Sequence, residues 1–154
     1  MNVLLILGRV AFVLVFILSG AQKLMDIPAT ATMIGSKVVL PELITAYTPQ
    51  LETATGMTTP HMLAILVGAV EIGAALLIAA GIATRFAAVL LILFTIAATY
   101  YFHDFWNMAG ADRQANMVNA LKNLSLVGGL LVLFVIGSWR PVRDRYDDAA
   151  PSPL

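Results

Sequence analysis

Four long apolar runs set the rhythm of the chain, over about 3–24, 60–81, 84–105 and 115–138. Each is near the roughly 20 residues that an α-helix needs to cross the ~30 Å hydrocarbon core of a bilayer. The punctuation between them is helical. Thr59-Pro60 reads as an N-cap followed by proline in the first turn, Gly81 as a C-terminal stop, and Thr84 as the next cap, which predicts a tight hairpin between the second and third helices. Between the first two runs, Asp26-Ile27-Pro28 and Leu40-Pro41-Glu42 each look like a helix start, and Leu43, Ile44, Tyr47 and Leu51 are spaced for one apolar face. Two short interfacial helices across the bundle mouth are therefore expected within 25–59. The segment 147–154, DDAAPSPL, has little to bury and is expected to be disordered. The predicted fold is all-α: one domain over 1–154, an antiparallel bundle of four transmembrane helices.

Composition agrees with that pattern. The chain is 60% hydrophobic and 12% charged with mean hydropathy +0.88, whereas about a quarter of residues in a soluble domain carry charge. Net charge is zero, and the basic residues Arg140, Arg143 and Arg145 alternate with Asp144, Asp147 and Asp148, so nothing points to nucleic acid. The absence of cysteine excludes thiolate metal ligation and disulfide exchange. The first apolar run continues past Arg9 to Gly20 without an A-x-A cleavage pattern and is expected to be a retained span. Four spans put both termini on one side with Arg85, Arg140, Arg143 and Arg145, against Lys23, Lys37 and Arg113 on the other. The positive-inside bias predicts cytoplasmic termini.

Against this background Glu71 stands out, because it sits in the middle of the second apolar run. A carboxylate at that depth is costly unless a cation accompanies it. Arg9, Lys23 and Lys122 are the candidates, with Asn119 one turn before Lys122. At ~100° per residue, Arg9, Phe16, Gly20 and Lys23 share a stripe of the first helix, and Glu71 shares its face with Ala64, Gly68, Ala74, Ala75 and Ile78, small residues that let helices approach. Lys122 shares its face with Asn119, Ser125 and Gly129 and is expected to point inward. Arg9 and Lys122 could then reach Glu71 from opposite sides.

The third run ends in Tyr100, Tyr101, Phe102, His103, Asp104, Phe105 and Trp106, an aromatic belt around a histidine-carboxylate pair. A histidine in that setting can hydrogen-bond a quinone carbonyl and pass a proton. Gln22, Lys23, His103, Asp104 and Lys122 fall at one depth and form the candidate quinone pocket. A bis-histidine haem using His61 is a minor alternative, and no metal-ligand spacing is present.

The segments GRVAFVLVFILSGAQKL, VEIGAALLIAAGIATR, AATYYFHDFW and NALKNLSLVGGLL occur in that order over most of the chain. Together they resemble the DoxX family of small four-span bacterial membrane proteins. The resemblance implies weight on Arg9, Gly20, Lys23, Glu71, Gly81, Arg85, His103, Lys122 and Asn123. It also implies a place in the bacterial plasma (inner) membrane, and a link to quinone-coupled redox metabolism through a subunit of thiosulfate:quinone oxidoreductase. The expected function is a membrane subunit of a quinone-linked redox assembly, an oxidoreductase-associated protein without autonomous catalysis. The expected partners are the bilayer and either a larger membrane or redox complex or further copies of the chain. A non-enzymatic scaffold subunit is the alternative, and a small transporter a weaker one.

Overall fold

The computed structural model describes residues 3–138. The expected disorder at 147–154 and the arginines at 140, 143 and 145 lie outside them. Among the described residues the chain is helical without strands: α1 Val3–Met25, α2 Ile27–Lys37, α3 Glu42–Thr45, α4 Thr48–Thr55, α5 Thr59–Ala80, α6 Thr84–Phe102, a short 3-10 turn Phe105–Asn107, and α7 Gly110–Ile136. Four of these helices, α1, α5, the α6 region and α7, are long and apolar enough to span a membrane. The protein is an integral membrane protein.

The helices pack side by side in the order α1, α5, α6, α7. Where α1 crosses α5, Gly20 meets Gly68: a Cβ on Gly20 would lie 2.8 Å from the Gly68 carbonyl oxygen and 2.8 Å from an Ile72 carbon. Hydrogen at this position is therefore what brings the two backbones together, the close approach that small residues permit between helices in lipid. Below this crossing, Val13, Phe16, Ala74, Ala75, Ile78, Ala87, Ala88, Leu91, Leu130 and Leu133 make one core that joins all four long helices.

One end of the bundle is closed by Arg9. Its Nη1 donates to the Thr84 hydroxyl at 3.0 Å and to the Ile78 carbonyl at 3.5 Å, and its Nη2 donates to the Gly137 carbonyl at 2.6 Å. Carbonyls in the last turn of a helix have no intrahelical donor and carry the negative end of the helix dipole. The Arg9 guanidinium takes the Gly137 carbonyl just past the end of α7 and adds to the Gly81 N–H already on the Ile78 carbonyl. Arg85 repeats the idea on the outside, donating from Nε to the Phe134 carbonyl at 3.3 Å. Gly81 closes α5 in the left-handed region, φ 68°, as its place in the sequence predicts. The turn into α6 passes through Ala83 at φ 46°, and Thr84, expected to cap α6, is instead inside it and holds Arg9.

The 25–59 segment differs from the expectation. It holds three short helices, and the first does not lie across the mouth. Asp26 caps α2 by accepting from the Ala29 N–H at 3.0 Å. α2 then runs along the upper half of α5, burying Ala31 and Ile34 against Ala64. The reason is length: α5 extends nine residues beyond Gly68 at the crossing whereas α1 extends only five beyond Gly20, and α2 supplies the missing apolar face. The start of α5 is also shifted by one residue. Thr58 is the N-cap residue, and the Glu52 carboxylate takes the Thr59 N–H and hydroxyl, each at 2.7 Å. Those bonds from the Thr59 hydroxyl and backbone hold the Glu52 carboxyl below its ordinary range.

The tight crossing makes a direct prediction. Gly20→Val should lower stability by about 1–3 kcal/mol, as overpacking of a close interface does, whereas Gly73→Ala, where a Cβ meets nothing within 4 Å, should be neutral. Reversible unfolding in mixed micelles measures both.

Candidate functional site

At the crossing, α5 presents Glu71 to α1, where Ser19 and Lys23 lie one turn apart on the same face. Lys23 Nζ sits 2.7 Å from Glu71 Oε2 and donates to the Ser19 hydroxyl at 2.6 Å and the Ser19 carbonyl at 3.4 Å. The contact with Oε2 is a close ion pair rather than an aligned hydrogen bond. The Phe94 ring centroid lies 5.5 Å from the ammonium on its other side. Glu71 is buried to 1% exposure, and its position is about 18 Å along the helix from Thr59 and about 14 Å from Ala80. The pair is therefore well inside the hydrocarbon layer, where a lone carboxylate would be costly.

Of the three cations considered for Glu71, Lys23 is the one the fold brings to it. Arg9 is occupied at the Arg9 end of the bundle, as described above. Lys122, expected to point inward, is exposed on the outer side of α7 and makes no ion pair or hydrogen bond with the described residues. The inward face of α7 is set instead by Asn116, Ala120, Asn123, Leu130 and Leu133, which places Lys122 about 100° off it. Of the stripe that Lys122 shares with Asn119, Ser125 and Gly129, Gly129 does pack against Phe12 of α1, whereas Lys122 and Ser125 are exposed. Asn119 is half-buried beside that inward face.

Above the core the helices part, leaving a cavity of about 430 Å³. Val15, Phe16, Phe94, Phe102 and Leu126 are among its apolar walls, and Ser19, Lys23, Glu71, Tyr101, His103 and Asn123 supply its polar groups. The expected pocket is thus partly assembled: Lys23 and His103 line it, whereas Gln22 is exposed on α1 and Lys122 lies on the far side of α7. Asp104 turns to the mouth, 3.8 Å from Lys37 at the end of α2. His103 Nδ1 is 3.0 Å from Asn116 Oδ1, while the other histidine, His61, holds the Thr58 hydroxyl at 2.8 Å. Asn123 Nδ2 donates to the Thr99 hydroxyl at 2.9 Å. Tyr101 donates to the Val39 carbonyl at 3.3 Å and so ties the 38–40 turn to α6 as one lip of the cavity.

Taken singly, Thr95 and Thr99 give no distinct signal in the sequence, because threonine in an apolar helix ordinarily bonds its own backbone. Both do so, to the Leu91 carbonyl at 2.6 Å and the Thr95 carbonyl at 2.7 Å. The i, i+4 spacing of Thr95, Thr99 and His103 was the available signal for one polar face on α6.

With this geometry in hand, similarity to known proteins becomes informative. The model of the DoxX family matches residues 4–104. The chain belongs to the DoxX family. It is also 33% identical to the inner membrane protein YphA of Escherichia coli (strain K12) over 143 residues, 93% of this chain and 89% of that protein. No solved structure matches it. In this DoxX protein the family match covers Arg9, Lys23, Glu71 and His103 and ends before Asn123.

Removing one member of the ion pair should be far worse than removing both. Glu71→Leu should cost about 3–5 kcal/mol by stranding Lys23 in the membrane, and the Lys23→Met/Glu71→Leu double variant should recover most of that loss. Unfolding in mixed micelles checks the cycle; single variants within about 1 kcal/mol of wild type would show that the pair is not desolvated.

Proposed function

We propose that this protein is a quinone- or quinol-binding membrane subunit of a redox assembly in a bacterial inner membrane. The observation that carries the reading is the cavity: apolar walls converging on a few polar groups, with a volume in the range of small-molecule sites. A quinone ring and isoprenoid tail ask for such walls, and its two ring oxygens ask for a small number of polar partners. Phe94, Tyr101 and Phe102 offer ring faces; Lys23, His103 and Asn123 are polar groups near which a head group would bind. A bound quinone would bring two-electron, two-proton chemistry. The chain's part is to bind and orient it, exclude water with the surrounding apolar helices, and hold a proton at His103 or Glu71. Having no cysteine, the chain itself cannot ligate an iron–sulfur cluster through thiolates, so electrons would come from a partner protein.

The scaffold reading keeps one supporting observation of its own. Lys122 is exposed on a spanning helix with no partner among the described residues, and a helix of a partner with an acidic group at that depth would satisfy it. The two readings are compatible, since a quinone-binding subunit must dock its electron donor.

The membrane of the YphA relative and the arginine bias at the Arg9 end support an inner-membrane location with both termini cytoplasmic. Reporter fusions after residue 138 should therefore be active only as cytoplasmic reporters, and periplasmic activity there would invert the topology.

For the ligand, the full-length protein in lipid nanodiscs should bind a decyl-tailed benzoquinone/benzoquinol couple saturably at one site per chain. His103→Ala should weaken binding about tenfold, the loss expected of one good hydrogen bond, and Ala98→Phe should abolish it by filling the cavity from α6. Absence of saturable binding by either form would remove the quinone reading and leave the scaffold.

A further inference from the structure

Nearly every side-chain hydrogen-bond donor lining the cavity is already engaged. The hydroxyls of Thr30, Thr95 and Tyr101 donate to the main-chain carbonyls of Lys23, Leu91 and Val39. The Lys23 ammonium donates to the Ser19 hydroxyl and the Ser19 carbonyl and is held in its ion pair with Glu71. The Ser19 hydroxyl oxygen is itself occupied by Lys23.

The acceptors are in the opposite condition. The Thr99 hydroxyl gives its proton to the Thr95 carbonyl, so it can only accept from Asn123. This fixes the Asn123 amide: one Nδ2 proton goes to Thr99, and the second N–H and the Oδ1 oxygen have no partner among the described residues. Asn116 is fixed in the same way: its Nδ2 donates to the Asp112 carbonyl at 3.0 Å, so its Oδ1 accepts the proton of His103 Nδ1. In the neutral ring His103 Nε2 is then an acceptor. Glu71 keeps lone pairs beyond the one facing Lys23. Three acceptors drawn from three helices, α5, α7 and the end of α6, thus line a space whose side-chain donors are mostly engaged, the second Asn123 N–H being an exception.

We infer that the cavity selects a head group that donates hydrogen bonds, and that of a quinone couple it holds the dihydroxy quinol in preference to the dicarbonyl quinone. A carbonyl placed against Asn123 Oδ1 or His103 Nε2 would leave two acceptors facing one another and desolvated, whereas a phenolic O–H meets each with a proton. The inference rests on the quinone reading above and adds the redox form that binds. A tenfold preference for the reduced form raises the midpoint potential of the bound two-electron couple by about 30 mV.

The test titrates the full-length protein in nanodiscs with a decyl-tailed benzoquinone, and separately with the same molecule reduced and kept under nitrogen. The quinol should bind at least tenfold more tightly. Asn123→Leu should lower quinol affinity about tenfold with quinone affinity little changed, and the potential of the bound couple should fall back toward its free value. The wild-type comparison stands even if the variant folds poorly. Saturable binding of both forms with equal affinity, or tighter binding of the quinone, would overturn this inference and leave the quinone-binding reading intact. Binding of neither form would overturn both.

Discussion

A carboxylate buried in the membrane must be neutralised where it stands, and the pairing of Lys23 with Glu71 is the constraint on which the upper half of this bundle depends. The 2.7 Å ion pair exists because Gly20 and Gly68 let α1 and α5 touch backbone to backbone. Any side chain there would widen the crossing and lengthen the reach that the lysine must span. Packing and electrostatics are thus a single requirement, since the glycines set the helix separation and the separation sets the cost of the charge.

The bundle is built differently at its two ends. At the Arg9 end, one guanidinium collects the Ile78 carbonyl in the last turn of α5, the Gly137 carbonyl that follows α7 and the first hydroxyl of α6, closing four helices around a common donor. At the opposite end no such group among the described residues gathers them. The helices are joined by pairwise bonds, His103 to Asn116, Asn123 to Thr99 and Tyr101 to the 38–40 turn, and the space between those bonds is the cavity. A bundle locked at one end and held by separate bonds at the other leaves room for a guest without losing its register.

The cavity's chemistry also follows from helix physics. Hydroxyls on a membrane helix spend their protons on their own backbone carbonyls, because no water is present to take them. An amide donating one proton to such a hydroxyl keeps its oxygen and its second N–H for other partners. The Thr95, Thr99 and Asn123 chain converts this local economy into an acceptor that faces the cavity.

Periodicity and composition alone were enough for four spanning helices, the glycine stop at Gly81, the small-residue face around Glu71 and the need of that carboxylate for a cation. These are properties of a single helix in lipid, where apolar length and the position of a charge decide the outcome locally. Which cation answers Glu71 was not local. Arg9, Lys23 and Lys122 were all candidates, and the choice was made by helix rotation and axial offset, which depend on how neighbouring small and apolar side chains fit. That fit turned Lys122 to the outside and gave Arg9 to the helix ends. It also laid α2 along α5, because a helix surface left bare by the offset of α1 had to be covered. The direction of each amide and imidazole in the cavity belongs to the same class, since it is decided by partners as far apart in sequence as Thr99 and Asn123, which only the folded bundle brings within a hydrogen bond of each other.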